Sequence, residues 1–588
     1  MALIVNNRLA INNRKGVALL VVLGIVMAIT ILSLGFLSRS DVELACGQNM
    51  ILRTQMDSLA ESGLEHAKGL ILNPQDIDSE YWTGATSQQL IAGSGDYYDV
   101  AIVLDESNPA DRCNYTIDCN SYRLKGAEQV GRTSFEAKLR LDPCVALWTG
   151  SDVTLWSNVQ INGDVYCGNA LFNKGWIGGD VFAQTVSGSI AGQGKAIADL
   201  SLVWPRVTVS DFTSRYGTVT ISSNTISAVT YGPYDPVRVC YCNGSLVLAG
   251  DVQIEGMLLV DGDLTVCGDG NVITAGKNLP ALLVTGDTRI EAEAYLEING
   301  LAVVDSNLLI AGDATTVNVL GGLFIQQTIG EVSEDSSGND HFGVLCSDPT
   351  WRPSGGQISG ALEFDGVDDT VRDSAAGGYL NGLAAATVSV WVKSDIVNED
   401  RGIMVAANSA GNSKYMGIRY DQGGSYGGAA RCIKAFVRIG LDTAQVESSA
   451  YVQTTAWQHL AMVWESGQNV KLYINGIEDS PSFDSGPISG VITDVATLLL
   501  GVSSQNQHWD GLIDDLRIYN RVLDANDIYP QVDGLPGEML HWRLDGGGSN
   551  VTVTAAPTKA AVVVWSAEGA RQNWGQAAGA FLRSIKRR

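Results

Sequence analysis

Residues 456–480 read AWQHLAMVWESGQNVKLYINGIEDS, and this stretch decides the fold of the carboxyl half. HLAMVW and VKLYI are short runs of apolar, aromatic and β-branched residues, the composition of strands. ESGQN joins them as a turn, and Asn475-Gly476 supplies a tight hairpin turn directly after the second run. Upstream, TVSVWVKS (387–394) alternates strictly, which places Val388, Val390 and Val392 on one face of a strand. Strands of this kind, linked by short turns, predict two antiparallel sheets packed as a sandwich, a form that limits exposed sheet edges.

Four further segments flank that core in order. They are DSSGNDHFGVL (335–345), GALEFDGVDDTV (360–371), TVSVWVKS and GLIDDLRIYNRVLDANDI (511–528). Together with 456–480 they resemble, in register, the LamG-like, concanavalin A-type jelly-roll family over 335–533. The resemblance implies a calcium ion held by carboxylates of the FDGxxD and IDD segments, here Asp365, Asp368 or Asp369, and Asp514 or Asp515, of which Asp365, Asp369 and Asp514 are the chosen set. An all-oxygen ligand set suits hard Ca²⁺; Asp365-Gly366 and Asp514-Asp515 also read as simple turn formers. Related jelly rolls bind glycans or extracellular proteins, with aromatic rings stacking on sugars; Tyr379, Tyr415, Tyr420, Tyr426 and Trp509 are the candidate rings. MLHWRLD (539–545) resembles the opening strand such domains carry, which predicts that the chain returns after 535 to complete the sandwich.

Working toward the amino terminus, a Gly-Asp pair recurs after short apolar runs between 145 and 330: INGDVYCG, IGGDVFAQ, LAGDVQIEG, VDGDLTVCG, VTGDTRIEA and IAGDATTVN. Glycine turns between brief Val/Ile/Leu strands predict a coiled β-solenoid, interrupted near 195–240. The pattern resembles the β-helical repeats of bactofilin-like proteins. Polysaccharide enzymes also use such coils, but their chemistry needs converging acid and base groups, whereas Asp beside Gly suits a turn.

At the amino end, residues 17–37, VALLVVLGIVMAITILSLGFL, hold 21 uncharged positions in a row. At about 1.5 Å per residue this helix spans roughly the 30 Å hydrocarbon core of a bilayer, and Arg8, Arg14 and Lys15 before it favour an inside amino terminus. Arg14-Lys15-Gly16 ahead of an apolar helix resembles a prepilin leader (1–16), cut between Gly16 and Val17 by prepilin peptidase. Type IV pilins place Glu at the fifth mature position. Here that position is Val21, as in GspK-like pseudopilins that cap a tip. Downstream, Leu52, Met56, Leu59, Gly63, Ala67 and Leu70 form an amphipathic stripe. AESGLEHAKGL resembles PilX-type minor pilins, and Asn73-Pro74 ends the helix. YYDVAIVLD and TSFEAKLRLD then predict a small α+β head, closing a pilin-like unit over 38–144.

The expected fold class is therefore mainly β: an N-terminal transmembrane and amphipathic pilin helix, a β-solenoid-like middle (145–330), an antiparallel jelly roll (335–533) and a C-terminal extension (534–588) ending in a strand, a loop and a short basic helix. A net charge of −26 argues against nucleic acid. Ten cysteines lack zinc-finger spacing; Cys113 and Cys119 are close enough for a local disulfide, and Cys240 and Cys242 share a strand face. The sequence predicts a non-enzymatic surface protein: a minor pilin or pseudopilin displaying a binding module, set in the inner membrane with its bulk periplasmic and exported to the surface or pilus tip. Its expected partners are other pilin subunits, prepilin peptidase, the membrane and a glycan or extracellular protein. The competing readings are a static membrane-anchored scaffold and a polysaccharide-active surface enzyme.

Overall fold

A computed structural model describes residues 12–72, 84–105, 114–142, 144–190, 196–197, 208–276, 279–347, 349–423, 428–530, 533–555 and 579–587. The chain is mainly β, with one long apolar helix, a solenoid of about eight turns and a jelly-roll sandwich.

The helix runs unbroken over Asn12–Leu72, 61 residues, or about 90 Å at 1.5 Å per residue. Its first half is long and apolar enough to cross a membrane, and the side chains of residues 17–50 are exposed. Gly16 and Val17 lie inside it. The second half buries Met56, Leu59 and Ala67 of the expected stripe together with Ala60 and Leu64, with Leu52 partly buried beside them. They pack on an antiparallel sheet of Gly84–Gln88, Asp96–Leu104, Asn114–Lys125 and Glu128–Asp142. Gly63 permits this approach, since a Cβ there would strike the Cys119 sulfur and the Tyr98 ring. Cys119 is a free, buried thiol, and Cys144 is the disulfide-bonded cysteine, so the expected 113–119 bridge is corrected.

The solenoid has three parallel faces. One coil consists of Leu282–Val284, Thr288–Ile290 and Tyr295–Asn299, the next of Ala302–Val304, Leu308–Ala311 and Asp313–Leu320. Inward residues of every coil merge into one apolar core, which includes Cys240 and Cys242 from the same face of one strand. The recurrent aspartates cap the neighbouring coil: Asp164 accepts from the Asp180 N–H at 2.8 Å, Asp263 from the Asp287 N–H at 2.9 Å, and Asp287 from the Asn307 N–H at 3.0 Å. This is turn chemistry, as the Gly-Asp pattern predicts.

Coil order in space differs from chain order. The stack begins at Gly217–Thr220 and climbs to Leu323–Ile325 and Ile329–Ser333. Val145–Thr149 then pairs in parallel on Leu323–Ile325, and Asp164–Cys167, Val181–Phe182 and Ala196–Ile197 follow it on the same face, so the earliest solenoid coils of the chain are stacked beyond the latest. The interruption near 195–240 is where the chain passes from one end of the stack to the other: Ala196–Ile197 sits at the far end and Val209–Thr213 beside the first coils.

Between Ile329–Ser333 and the next strand of that coil the chain builds the jelly roll. One sheet runs Gly343–Cys346, Thr370–Asp373, Thr497–Leu500, Arg401–Ala407, Lys414–Asp421, Cys432–Ile439 and Asp442–Glu447. The other runs Thr350–Arg352, Ala361–Asp365, Asp510–Tyr519, Ala385–Ser394, Gln458–Glu465 and Lys471–Ile474. Val388, Val390 and Val392 face the shared core together. Ile474 pairs with Ile477 across Asn475-Gly476, whose φ values of 50° and 78° are those a two-residue hairpin needs.

The stretch expected to be one C-terminal extension is divided three ways. Glu538–Trp542 pairs antiparallel with Asp510–Tyr519, and Trp542 is fully buried in the sandwich, as the MLHWRLD reading predicts. Gly548–Thr554 returns to the solenoid and lies in parallel between Asp313–Leu320 and Val159–Asn162. Gly579–Arg587, expected to hold a basic helix, is instead a strand paired antiparallel with Glu128–Asp142 of the head.

Candidate metal centre and binding surface

Ala361–Asp365 ends in a turn where Gly366 takes φ 76°. Asp365 Oδ1 accepts from the backbone N–H of Val367 at 2.8 Å and of Asp368 at 3.4 Å, so the loop curls around its own carboxylate. Asp369 Oδ2 accepts from the Asp365 N–H at 3.0 Å, and its other oxygen is buried with no hydrogen-bond partner among the described residues. One ligand atom from each of Asp365, Asp368 and Asp369 lies within 4.8 Å of the others. Burial, and then the Asp365 charge, push the Asp369 carboxyl up to about 7. Three converging carboxylates, one with an orphan buried oxygen, fit a hard divalent cation that takes oxygen ligands.

Asp514 does not join them. Asp365 pairs with Asp510 across the sheet, which leaves Asp514 four residues further along, roughly 13 Å away at strand spacing. Its carboxylate accepts from the Gln357 and Ile358 N–H groups at 2.8 Å each, and burial pushes it up to about 8. Asp515 is held by Arg517 and by His541 Nε2 at 2.6 Å in a buried ionic cluster. The acidic neighbour of the aspartate loop is Asp510, whose pKa is raised by burial and whose cation is Arg401. Strand register was the missing signal: the IDD motif marks the right strand but the wrong end of it.

Four of the five candidate aromatic rings are packing residues. Tyr379, Tyr415, Tyr420 and Trp509 are buried in the sandwich core, and Tyr426 lies outside the described residues. Tyr420 meets Trp509 edge-on at 5.1 Å and donates its hydroxyl to Gln458 at 3.0 Å, while Tyr379 donates to Asp373 at 2.9 Å.

Residues 365–529 match the family model of the concanavalin A-like lectin/glucanases superfamily. The rest of the chain lies outside that match, and no curated protein matches the chain. Among solved structures, domain 4 of AbnA, a GH43 extracellular arabinanase from Geobacillus stearothermophilus, is 22% identical; the match covers 34% of this chain and 85% of that one, with a TM-score of 0.24. The CBM40 of the Ruminococcus gnavus IT-sialidase, bound to sialyllactose, is 16% identical over 29% of this chain and 94% of that one, with a TM-score of 0.24. The receptor-binding domain of the botulinum neurotoxin C/D mosaic serotype is 18% identical over 33% and 46%, with a TM-score of 0.26.

Proposed function

We propose that this chain is a non-catalytic, membrane-anchored minor pilin or pseudopilin that presents a glycan- or protein-binding jelly roll away from the bilayer. The observation that carries the reading is the placement of the jelly roll. It is the innermost insertion of a chain whose head is joined to the exposed apolar helix, so a binding module sits at the end opposite the anchor in connectivity. The match of residues 365–529 to a lectin/glucanase superfamily supports binding as its task. Asp365, Asp368 and Asp369 are the residues proposed to hold Ca²⁺, which would stiffen the loop by neutralising three crowded carboxylates.

The experiment is the mass of the amino-terminal peptide from cells with and without prepilin peptidase. A mature start at Val17 that depends on the peptidase is the expected result. An uncleaved leader in both strains rejects the pilin part and leaves a static membrane-anchored scaffold.

A further inference from the structure

The jelly roll and the solenoid share one continuous sheet that splits. Ile329–Ser333 pairs through Val332 and Ser333 with the jelly-roll strand Gly343–Cys346, while its solenoid neighbour in the next coil is Val153–Leu155. The two bodies diverge from that strand and enclose a cleft of about 860 Å³. Among the described residues two polar contacts span the cleft, beside the packing of Phe342 on the solenoid's Leu309 and Val332. Lys174 Nζ donates to the Ser347 carbonyl at 2.8 Å, and Arg289 bridges Asp340 at 3.1 Å while lying over the Phe342 ring at 5.2 Å. Arg289 and Lys174 sit four coil steps apart, roughly 19 Å at the interstrand spacing. The cleft extends along the coils between these contacts, and its volume lies in the range of ligand sites.

Its solenoid wall is ordered by register. Phe172 pairs with Thr154 on one side and Ser187 on the other, so one half-buried aromatic ring stands between two hydroxyls at strand spacing, with the Lys174 ammonium over it at 5.5 Å from the ring centre, a cation that a stacked sugar would have to displace or share the ring with. Asp152 and Asp287 on the same side each give one carboxylate oxygen to a neighbouring backbone N–H, from Ala170 and Asn307, and the second oxygen is without a partner among the described residues. On the jelly-roll wall Arg372 is exposed and its guanidinium makes no hydrogen bond or ion pair among the described residues, with half-buried Phe342 nearby. The apolar C–H face of a pyranose matches an aromatic ring, whose π-face is negative. Its ring hydroxyls match the flanking Ser, Thr, carboxylate and guanidinium groups. Acidic and basic groups occur together on these walls, which favours an uncharged sugar over a uronic or sialic acid.

We propose that this cleft between solenoid and jelly roll binds a neutral oligosaccharide several rings long, with Phe172 as the stacking platform. The inference rests on the binding function proposed above and moves the site away from the aspartate loop. The test uses the full chain in detergent micelles, with titration calorimetry against gluco-, xylo- and manno-hexasaccharides. Wild type is expected to bind at least one of them. Phe172→Ala and Arg372→Ala, from opposite walls, are each expected to weaken that binding tenfold or more. Ser187→Trp, at an exposed position, fills the trench without touching the core and is expected to do the same should Phe172→Ala lower the Tm. Unchanged affinity in Ser187→Trp and Arg372→Ala, with binding lost in Asp368→Asn, overturns the cleft and leaves the jelly roll as a binder. Failure of wild type to bind any of the three probes overturns the cleft and counts against glycan binding as a whole.

Discussion

Glu331 is 4% exposed and accepts hydrogen bonds from separate parts of the chain. Its Oε1 takes the Ser549 N–H and hydroxyl, both at 2.6 Å, and its Oε2 takes the Trp351 indole N–H at 3.0 Å. Solenoid, returning tail and jelly roll thus meet at one carboxylate. Glu331→Leu strands buried donors and is expected to cost about 3 kcal/mol in chemical unfolding, with Glu331→Gln costing less. His459 is fully buried, and burial, opposed by Asp515 and assisted by Arg517, pushes it down to about 4. The unfolded chain therefore takes up this proton first as pH falls. Stability is lost between about pH 6.5 and 4, by on the order of 3 kcal/mol, and is flat below that window for this group. Replacing His459 with Phe is expected to flatten that part of the pH–stability curve; an unchanged slope would sink the assignment. At the aspartate loop, Ca²⁺ at a hundredfold excess over its Kd is expected to add about 2.7 kcal/mol, seen as a higher Tm, and Asp369→Asn is expected to abolish the rise.

At the scale of elements, the strand Glu538–Trp542 lies beside the second half of Asp510–Tyr519, whose first half is covered by Ala361–Asp365. Its Trp542 donates to the His341 carbonyl at 2.6 Å and packs under Gly343. Trp542→Ala is expected to destabilise the sandwich by about 3–5 kcal/mol, read as early loss of near-UV dichroism; a normal transition would show that this strand is dispensable. The sequence revealed this strand because MLHWRLD carries a local pattern. It could not reveal Gly548–Thr554, because its partners are Asp313–Leu320 and Val159–Asn162, hundreds of residues away, and parallel pairing leaves no turn to mark it. The same limit governs the site. Asp365, Asp368 and Asp369 converge because one turn brings them together, whereas placing Asp514 required knowing which cross-strand partner faces which residue. The candidate tyrosines failed for a different reason: amphipathic rings serve a sandwich core as readily as a surface, and composition does not distinguish the two.

At the scale of the whole molecule, the tail revisits the three bodies in reverse order: jelly roll, solenoid, head. Each body is thus interrupted by the next. A chain lacking residues 579–588 is expected to keep its solenoid and sandwich but to expose the outer edge of Glu128–Asp142. Hydrogen exchange there would rise while exchange at Leu282–Val284 stays slow; equal protection at both would reject the pairing.

This nesting also sets a sequence of events for a chain emerging from the ribosome or a translocon. The sandwich is the first body whose strands are all available, and the coil it interrupts can close only when residues 548–554 arrive. The head, though made first, waits for residues 579–587. Contacts of such long separation form slowly, so a chain that has not reached residue 579 keeps an unpaired edge on the sheet that packs against its long apolar helix.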